Sequence, residues 1–302
     1  MRVIAAALAM LGIASACTCE PAPTAPPTIE APRDALPRAT RDDLPAATPM
    51  VRVDVREDGF TVDNRALIAT WPEGDRARVP DAEIAVDVPA SSEALEVPAL
   101  SEIMVRARRI EDARAEGAGI PIAYALRAAP EVSWRRVSQA MWSAGREGWT
   151  EPRVVLLEGE REVVLALPPS HRGRRAGIER EVAAALAGEV APEPSDSLEP
   201  AWPAITITPS LEVRITLRDQ PLAPSCDTTQ PSAPPTIPAR DHHVDVDALV
   251  RCLDVARTTT SLVLDERPLF AVSAAPSVPF GEITPVLEVL ASRGELAIRA
   301  TP

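Results

Sequence analysis

Residues Ala128 to Trp134 read AAPEVSW, and residues Ala274 to Phe280 read AAPSVPF. Both alanines, the proline and the valine stand in register, and an aromatic closes each copy. Ala274 lies 146 residues after Ala128, and the agreement runs past the motif. Val137, Ala140, Met141 and Ala144 fall at i, i+3, i+4 and i+7, one face of a helix, and Ile283, Val286, Leu287 and Leu290 occupy the same places 146 residues on. Gly148 and Gly294 keep that spacing and end each helix. Each copy is preceded by an apolar, strand-like run, Ile120–Leu126 or Leu269–Ala274. The pattern is a strand, a proline that ends it and an aromatic that seats the helix start, written twice. Duplication accounts for the shared helix face; coincidence between two generic strand-to-helix turns is the alternative.

Working outward from the first motif, Val51, Val53 and Val55 alternate with Arg52, Asp54 and Arg56, the period of a half-buried strand. Glu57-Asp58-Gly59 turns the chain toward Phe60-Thr61-Val62. A short strand at 84–88 and an amphipathic helix carrying Ile103, Val105, Ala107 and Ile110 follow. After the second helix come strands at 154–157 and 163–167. The second half repeats the order: a hairpin from 205–207 and 213–217, a helix at 246–256 presenting Leu249, Cys252, Leu253 and Ala256, the strand at 269–274, the second helix, and a last strand at 296–299. The fold class is therefore α+β: two tandem β-β-α-β-α-β units, each a mixed sheet with two helices, spanning 51–167 and 204–302. Residues 168–203 read as a linker with a short Ala-rich helix near 179–186. Trp134 and Phe280 are expected to pack over the helix starts.

The amino terminus gives a compartment. Met1-Arg2 precedes an uncharged apolar run from Val3 to Ala16, too short to span a bilayer but suited to a signal-peptide core. Ala14-Ser15-Ala16 fits a cleavage site, and with Cys17 it resembles a bacterial lipobox, which makes Cys17 the lipid-bearing residue. A released periplasmic protein with Cys17 and Cys19 free or paired is the alternative. From Thr18 to Met50 there are eight prolines and no apolar periodicity. Residues 17–50 thus read as an extended tether, reaching on the order of 100 Å at about 3.1 Å per residue. In an oxidising compartment Cys226 and Cys252 are expected to pair, and the bridge contributes roughly 3 kcal/mol by loop closure.

The 302 residues carry a net charge of −13 and no lysine. Such a field repels phosphate backbones and anionic headgroups, so nucleic acid is not expected as a partner. The basic run His171-Arg172-Gly173-Arg174-Arg175 reads as a solvated loop. No nucleophile elbow, Gly-rich phosphate loop or H-E-x-x-H occurs. No catalytic residue, cofactor or metal is expected. The one cluster with metal-ligand chemistry, Asp241-His242-His243-Val244-Asp245-Val246-Asp247, puts adjacent histidines on opposite sides of an extended segment. It reads as a helix start at which Asp245 or Asp247 accepts backbone hydrogen bonds. Trp142 and Trp149 are less easily placed inside and are the candidate partner contacts, with core packing the expected role for at least one of the two.

The strand, the Pro-x-Val-Pro-aromatic-Gly turn at Pro276, Val278, Pro279, Phe280 and Gly281, the helix ending at Gly294 and the last apolar strand are similar to the periplasmic domain of the ExbD/TolR family of biopolymer-transport proteins. The first copy keeps Pro130, Val132, Trp134 and Gly148. Family members carry an amino-terminal transmembrane helix with an acidic residue that couples proton flow to work; here the only long apolar run is the leader, without Asp or Glu. What the resemblance implies is the soluble domain, which associates in pairs and engages envelope partners or the cell wall. The expectation is a non-enzymatic, lipid-anchored periplasmic protein of the outer membrane, binding or scaffolding in a transport or energy-transducing assembly, with a dimer as the oligomeric state open to it. A periplasmic small-ligand or metal-binding protein is the second reading.

Overall fold

The computed structural model describes residues 36–77, 79, 85–90, 94–115, 123–167, 203–217, 220–224, 226, 234–258 and 268–298. The leader expected at 1–16, Cys17, Cys19, the expected tether up to 35, the basic run at 171–175 and the helix expected at 179–186 lie outside them. The first unit contains β1 (Arg52–Arg56), β2 (Gly59–Asp63), the single turns α1 (Arg65–Ile68) and α2 (Glu73–Arg76), β3 (Ala85–Pro89), α3 (Pro98–Ala115), β4 (Ala123–Ala128), α4 (Trp134–Arg146), β5 (Glu151–Glu158) and β6 (Arg161–Ala166). The second contains β7 (Ala204–Ile207), β8 (Val213–Leu217), β9 (Gln220–Pro221), α5 (Val246–Thr258), β10 (Leu269–Ala274), α6 (Phe280–Arg293) and β11 (Glu295–Ile298). No described helix is long and apolar enough to cross a membrane.

The two sheets have one topology. The first runs β3-β2-β1-β4-β5-β6 and the second, read from the same end, β9-β8-β7-β10-β11. Both are mixed: antiparallel where hairpins join neighbours, parallel where a helix carries the chain across. Register agrees too. Ala125 to Ala128 pair with Arg52 to Val55, and Ala271 to Ala274, each 146 residues later, pair with Ala204 to Ile207. The predicted helix faces are inside: Val137, Ala140 and Ala144 in α4 and Ile283, Val286, Leu287 and Leu290 in α6 are buried, and Met141 packs against the same core. One contiguous hydrophobic cluster, from Phe60, Leu126 and Trp134 through Phe280 to Ile205 and Phe270, serves both units. Burial at about 25 cal/mol per Å² of apolar surface is what holds them together.

Three expectations are corrected. The glycines at matching positions do different work. Gly148 has φ +86°, a left-handed turn, and a Cβ there would strike the guanidinium of Arg108, which donates to the Glu147 carbonyl at 2.8 Å. Gly294 is extended, and its missing Cβ admits the Pro268 carbonyl, which lies 2.1 Å from the Cβ position. The strand after Gly294 starts two residues sooner in register than the one after Gly148, pairing Leu269 with Glu295 where Ala123 pairs with Glu151.

β1 is not half-buried but covered on both faces. Asp54 is 2% exposed and Arg127, beside it on β4, 4%. Their charges are compensated by Arg52 on Asp54 (3.1 Å) and Asp63 (2.7 Å) and by Arg127 between Asp54 (3.8 Å) and Glu162 (3.4 Å). Burial is tolerable only with such pairing. At Asp63 burial pushes the pKa up, but hydrogen bonds from the Arg65 side chain and amide and the charges of Arg52 and Arg65 outweigh it and hold the carboxyl below its ordinary value.

The last part of the tether belongs to the folded structure. Residues 36–50 form a strap around the β5–β6 hairpin, with Leu36 and Leu44 buried. Ala39 N–H donates to the Leu157 carbonyl and Leu157 N–H to that of Pro37; further on, Ala47 N–H reaches Glu162 and Val164 N–H reaches Pro45. Leu36, Ala47 and Met50 pack with Ala125, Val155, Leu157 and Val164, closing the outer face of the sheet. The strap has no apolar period, yet its backbone groups complete the sheet edges.

Candidate functional site

An α-helix leaves its first N–H groups without intrahelical partners. Neither α4 nor α6 solves this with a side chain: Ser133 and Pro279, at the N-cap positions, make no side-chain cap, and Pro279 carries no hydroxyl to make one. Each helix is capped instead by the other's turn. Trp134 N–H donates to the Val278 carbonyl and Phe280 N–H to that of Val132, both at 2.8 Å. Arg135 N–H donates to Pro276 at 3.0 Å and Gly281 N–H to Pro130 at 2.8 Å. Adding 146 to the first-unit member of a bond and subtracting 146 from its second-unit member gives the other bond of its pair, so the four are exchanged by a pseudo-twofold axis through the Ser133–Pro279 bridge.

The repeated motif is thus the contact between its own two copies. Proline supplies a free carbonyl at the turn. The valines, Val132 and Val278, and the aromatics, Trp134 and Phe280, are all buried beneath. The approach is close, since a Cβ on Gly281 would lie 2.8 Å from Cβ of Pro130. At about 1 kcal/mol net per hydrogen bond, the four bonds add specificity to a junction whose main stabilisation is apolar burial.

A second tie crosses the junction. Glu288 on α6 is 0% exposed, and its Oε2 accepts from Thr40 N (2.9 Å), Thr40 Oγ1 (3.0 Å) and Arg41 N (3.0 Å). The strap of the first unit is therefore fastened to a buried carboxylate of the second. Sequence reasoning missed Glu288; an acid within the apolar run Val286 to Leu290 was the available signal. Just outside this contact, Arg41 holds the Asp43 carboxyl below its usual range by hydrogen bond and charge.

The two candidate tryptophans part company. Trp149 is 1% exposed: the left-handed turn at Gly148 sends it inward, where Nε1 donates to the Met104 carbonyl at 3.0 Å and its ring meets Tyr124 edge-on at 6.5 Å. It is a core residue and is withdrawn as a partner contact. Trp142 stands 45% exposed on the outer face of α4.

At the start of α5, Asp245 is the cap, accepting from Ala248 N–H at 2.8 Å. Asp241 and His242 both have positive φ, 52° and 63°, in a tight turn closed by two bonds between Arg240 and His243. His243 Nδ1 lies 2.7 Å from Oε1 of Glu282, in the first turn of α6, and Val244 N–H donates to Oε2. This pairing raises the His243 pKa. The cluster is used in helix capping and unit assembly. Among the described residues no group of three or more His, Cys, Asp or Glu side chains is placed to hold a metal ion. Cys226 and Cys252 are paired, Cα atoms 5.4 Å apart, fastening the loop after β9 to α5. No family model, curated protein or solved structure matches the chain.

Proposed function

We propose that the protein is a non-enzymatic cell-envelope lipoprotein, exported and anchored through Cys17 to the outer membrane on its periplasmic side. Its two ExbD/TolR-like units act as one binding or scaffolding element in a biopolymer-transport or energy-transducing assembly, with an envelope protein complex or the cell wall as partner. The observation that carries this reading is the reciprocal capping of α4 and α6. Two units of one topology, joined through the motif that repeats, form a pair on a shared core, an arrangement that supports a binding or scaffolding role.

The test is in-cell crosslinking of the full chain followed by recovery from envelope fractions. Recovery of a membrane-complex protein or of cell-wall fragments supports the assignment, and recovery of neither overturns it. In the same cells, Cys17→Ser is expected to abolish lipid labelling and release the protein from membranes; unchanged fractionation removes the anchor from the proposal.

A further inference from the structure

Among the described residues the strap lies nearest in sequence to the expected lipid anchor, and its contacts fall in three groups along its length. Pro37 to Ala39 pair with Leu157 of β5 around a parallel bridge, Thr40 and Arg41 hold Glu288 of α6, and Pro45 to Ala47 pair with β6 around an antiparallel one. Next comes β1, which is bonded to β2 on one side and β4 on the other. A pull on the amino end thus loads the three groups in succession and then meets a strand held along its length. Groups opened one at a time give way under less load than a set opened together, so local release precedes unfolding of the sheet.

The middle group sets the strength of the hold. Glu288 is fully buried in an apolar run, and its three donors, two amides and a hydroxyl, are neutral, because Arg41 turns its guanidinium to Asp43 at 2.7 Å. The other oxygen, Oε1, is buried without a hydrogen-bond partner among the described residues. A carboxylate buried with one oxygen unmatched is costly. Undocking the strap returns water to both oxygens, which offsets part of the loss of the three bonds and brings the docked and released states closer in free energy. An apolar residue at this position would close the seam without that offset.

We propose that the strap is a load-released latch: tension on the amino-terminal tether frees residues 36–51 from the β5–β6 hairpin and from Glu288 while both sheets stay folded. This rests on the reading of residues 17–35 as a tether from an anchored Cys17. With the strap docked, that tether spans about 60 Å at the polyproline II rise. Release adds roughly 50 Å of extended chain, so the module keeps hold of a partner at nearly twice the distance without losing its fold.

The experiment is force spectroscopy on the full mature chain with its disulfide intact, carrying Cys19→Ser and held in optical tweezers through Cys17 and the carboxyl end. A short reversible step of roughly 50 Å is expected before the main unfolding step. At fixed force, Glu288→Ala should lower the docked-to-released ratio about thirtyfold, and Thr40→Val, which removes one donor and leaves α6 untouched, about fivefold. The force of the main step should hold in Thr40→Val. Opening of the strap only together with the main step, or a short step that Glu288→Ala or Thr40→Val leaves unchanged, overturns the proposal. The measurement needs neither lipid nor partner, so its failure with Cys17 still carrying lipid removes the latch and leaves the envelope assignment intact.

Discussion

The two units share strand order, helix faces and the register of the β1–β4 and β7–β10 pairs, and they diverge most where the amino-terminal strap runs. The first sheet has the extra strand β6, and the strap borders its outer edge; the second sheet ends, among the described residues, at β11. The ninth position of the second helix is an exposed tryptophan in one unit and a buried glutamate in the other. The difference teaches that the junction demands sameness while the outer faces do not. Backbone capping across the pseudo-twofold axis needs the same turn on both sides, but nothing in that geometry requires the same residue eight places further along a helix.

The largest expected effect comes from breaking the sameness. Trp134→Ala and Phe280→Ala remove equivalent buried aromatics, and each should cost about 3–5 kcal/mol in urea denaturation. Because one core serves both units, each variant should still unfold in a single transition. If either gives two transitions, the units are independently stable and the junction is a contact rather than a shared core. The next effect sharpens a difference. Only the second unit has a disulfide, and reducing Cys226–Cys252 should lower stability by roughly 3 kcal/mol. With a shared core the midpoint of the whole chain should fall, followed both by far-UV circular dichroism and by Trp149 fluorescence in the first unit. A shift confined to one probe would contradict that coupling.

A smaller pair of effects tests the divergent position itself. Glu288→Ala leaves the Thr40 and Arg41 donors without their acceptor and should cost about 2 kcal/mol, with earlier proteolysis at the strap. Trp142→Ala, at the equivalent position, should change stability by no more than about 0.5 kcal/mol. Similar costs at the two positions would mean that the strap does not distinguish the units.

What the sequence showed and what it hid follow from one physical divide. Side-chain periodicity was legible: Val137, Ala140 and Ala144 and their counterparts in α6 are inside because a 3.6-residue period leaves no other packing. The AAPxV spacing was legible as a turn, though not as a contact between turns, since the capping groups are main-chain N–H and C=O that every residue carries. The strap was hidden for the same reason: Pro37, Ala39, Pro45 and Ala47 hold it through backbone bonds, and its composition matches that of an unstructured tether. Asp54 and Arg127 disguised a two-sided strand, because paired buried charges read in one dimension like an exposed face. Trp149 depended on the sign of φ at Gly148, and its neighbours in sequence do not fix that sign.

The smallest effect compares the first turns of the two second helices, where the junction meets solvent. In the first unit Arg136 Nε donates to the Glu57 carbonyl at 3.0 Å, and the Glu57 carboxylate accepts from Ser133 N–H. In the second, the equivalent residue is Glu282, and it holds His243 and the Val244 amide. The charge is reversed and so is the pH response. A guanidinium keeps its proton throughout the neutral range. The hydrogen bond to Glu282 and then its charge, opposed by desolvation and helped by Asp241, raise the His243 pKa above its ordinary value of about 6.5. A folded-state pKa raised above the unfolded one gives stability that is fully present below the unfolded value and is lost as pH rises through the folded one. The His243 side chain is largely exposed, so the change should be slight, and the sensitive measurement is the imidazole resonance itself. Its titration midpoint should lie above 6.5 and return toward it in Glu282→Gln, while the amides of Ser133 and Arg136 hold their positions across the same range. A midpoint indifferent to Glu282→Gln would show that the second unit is not fastened at this corner, and the contrast with Arg136 would reduce to a difference of sequence alone.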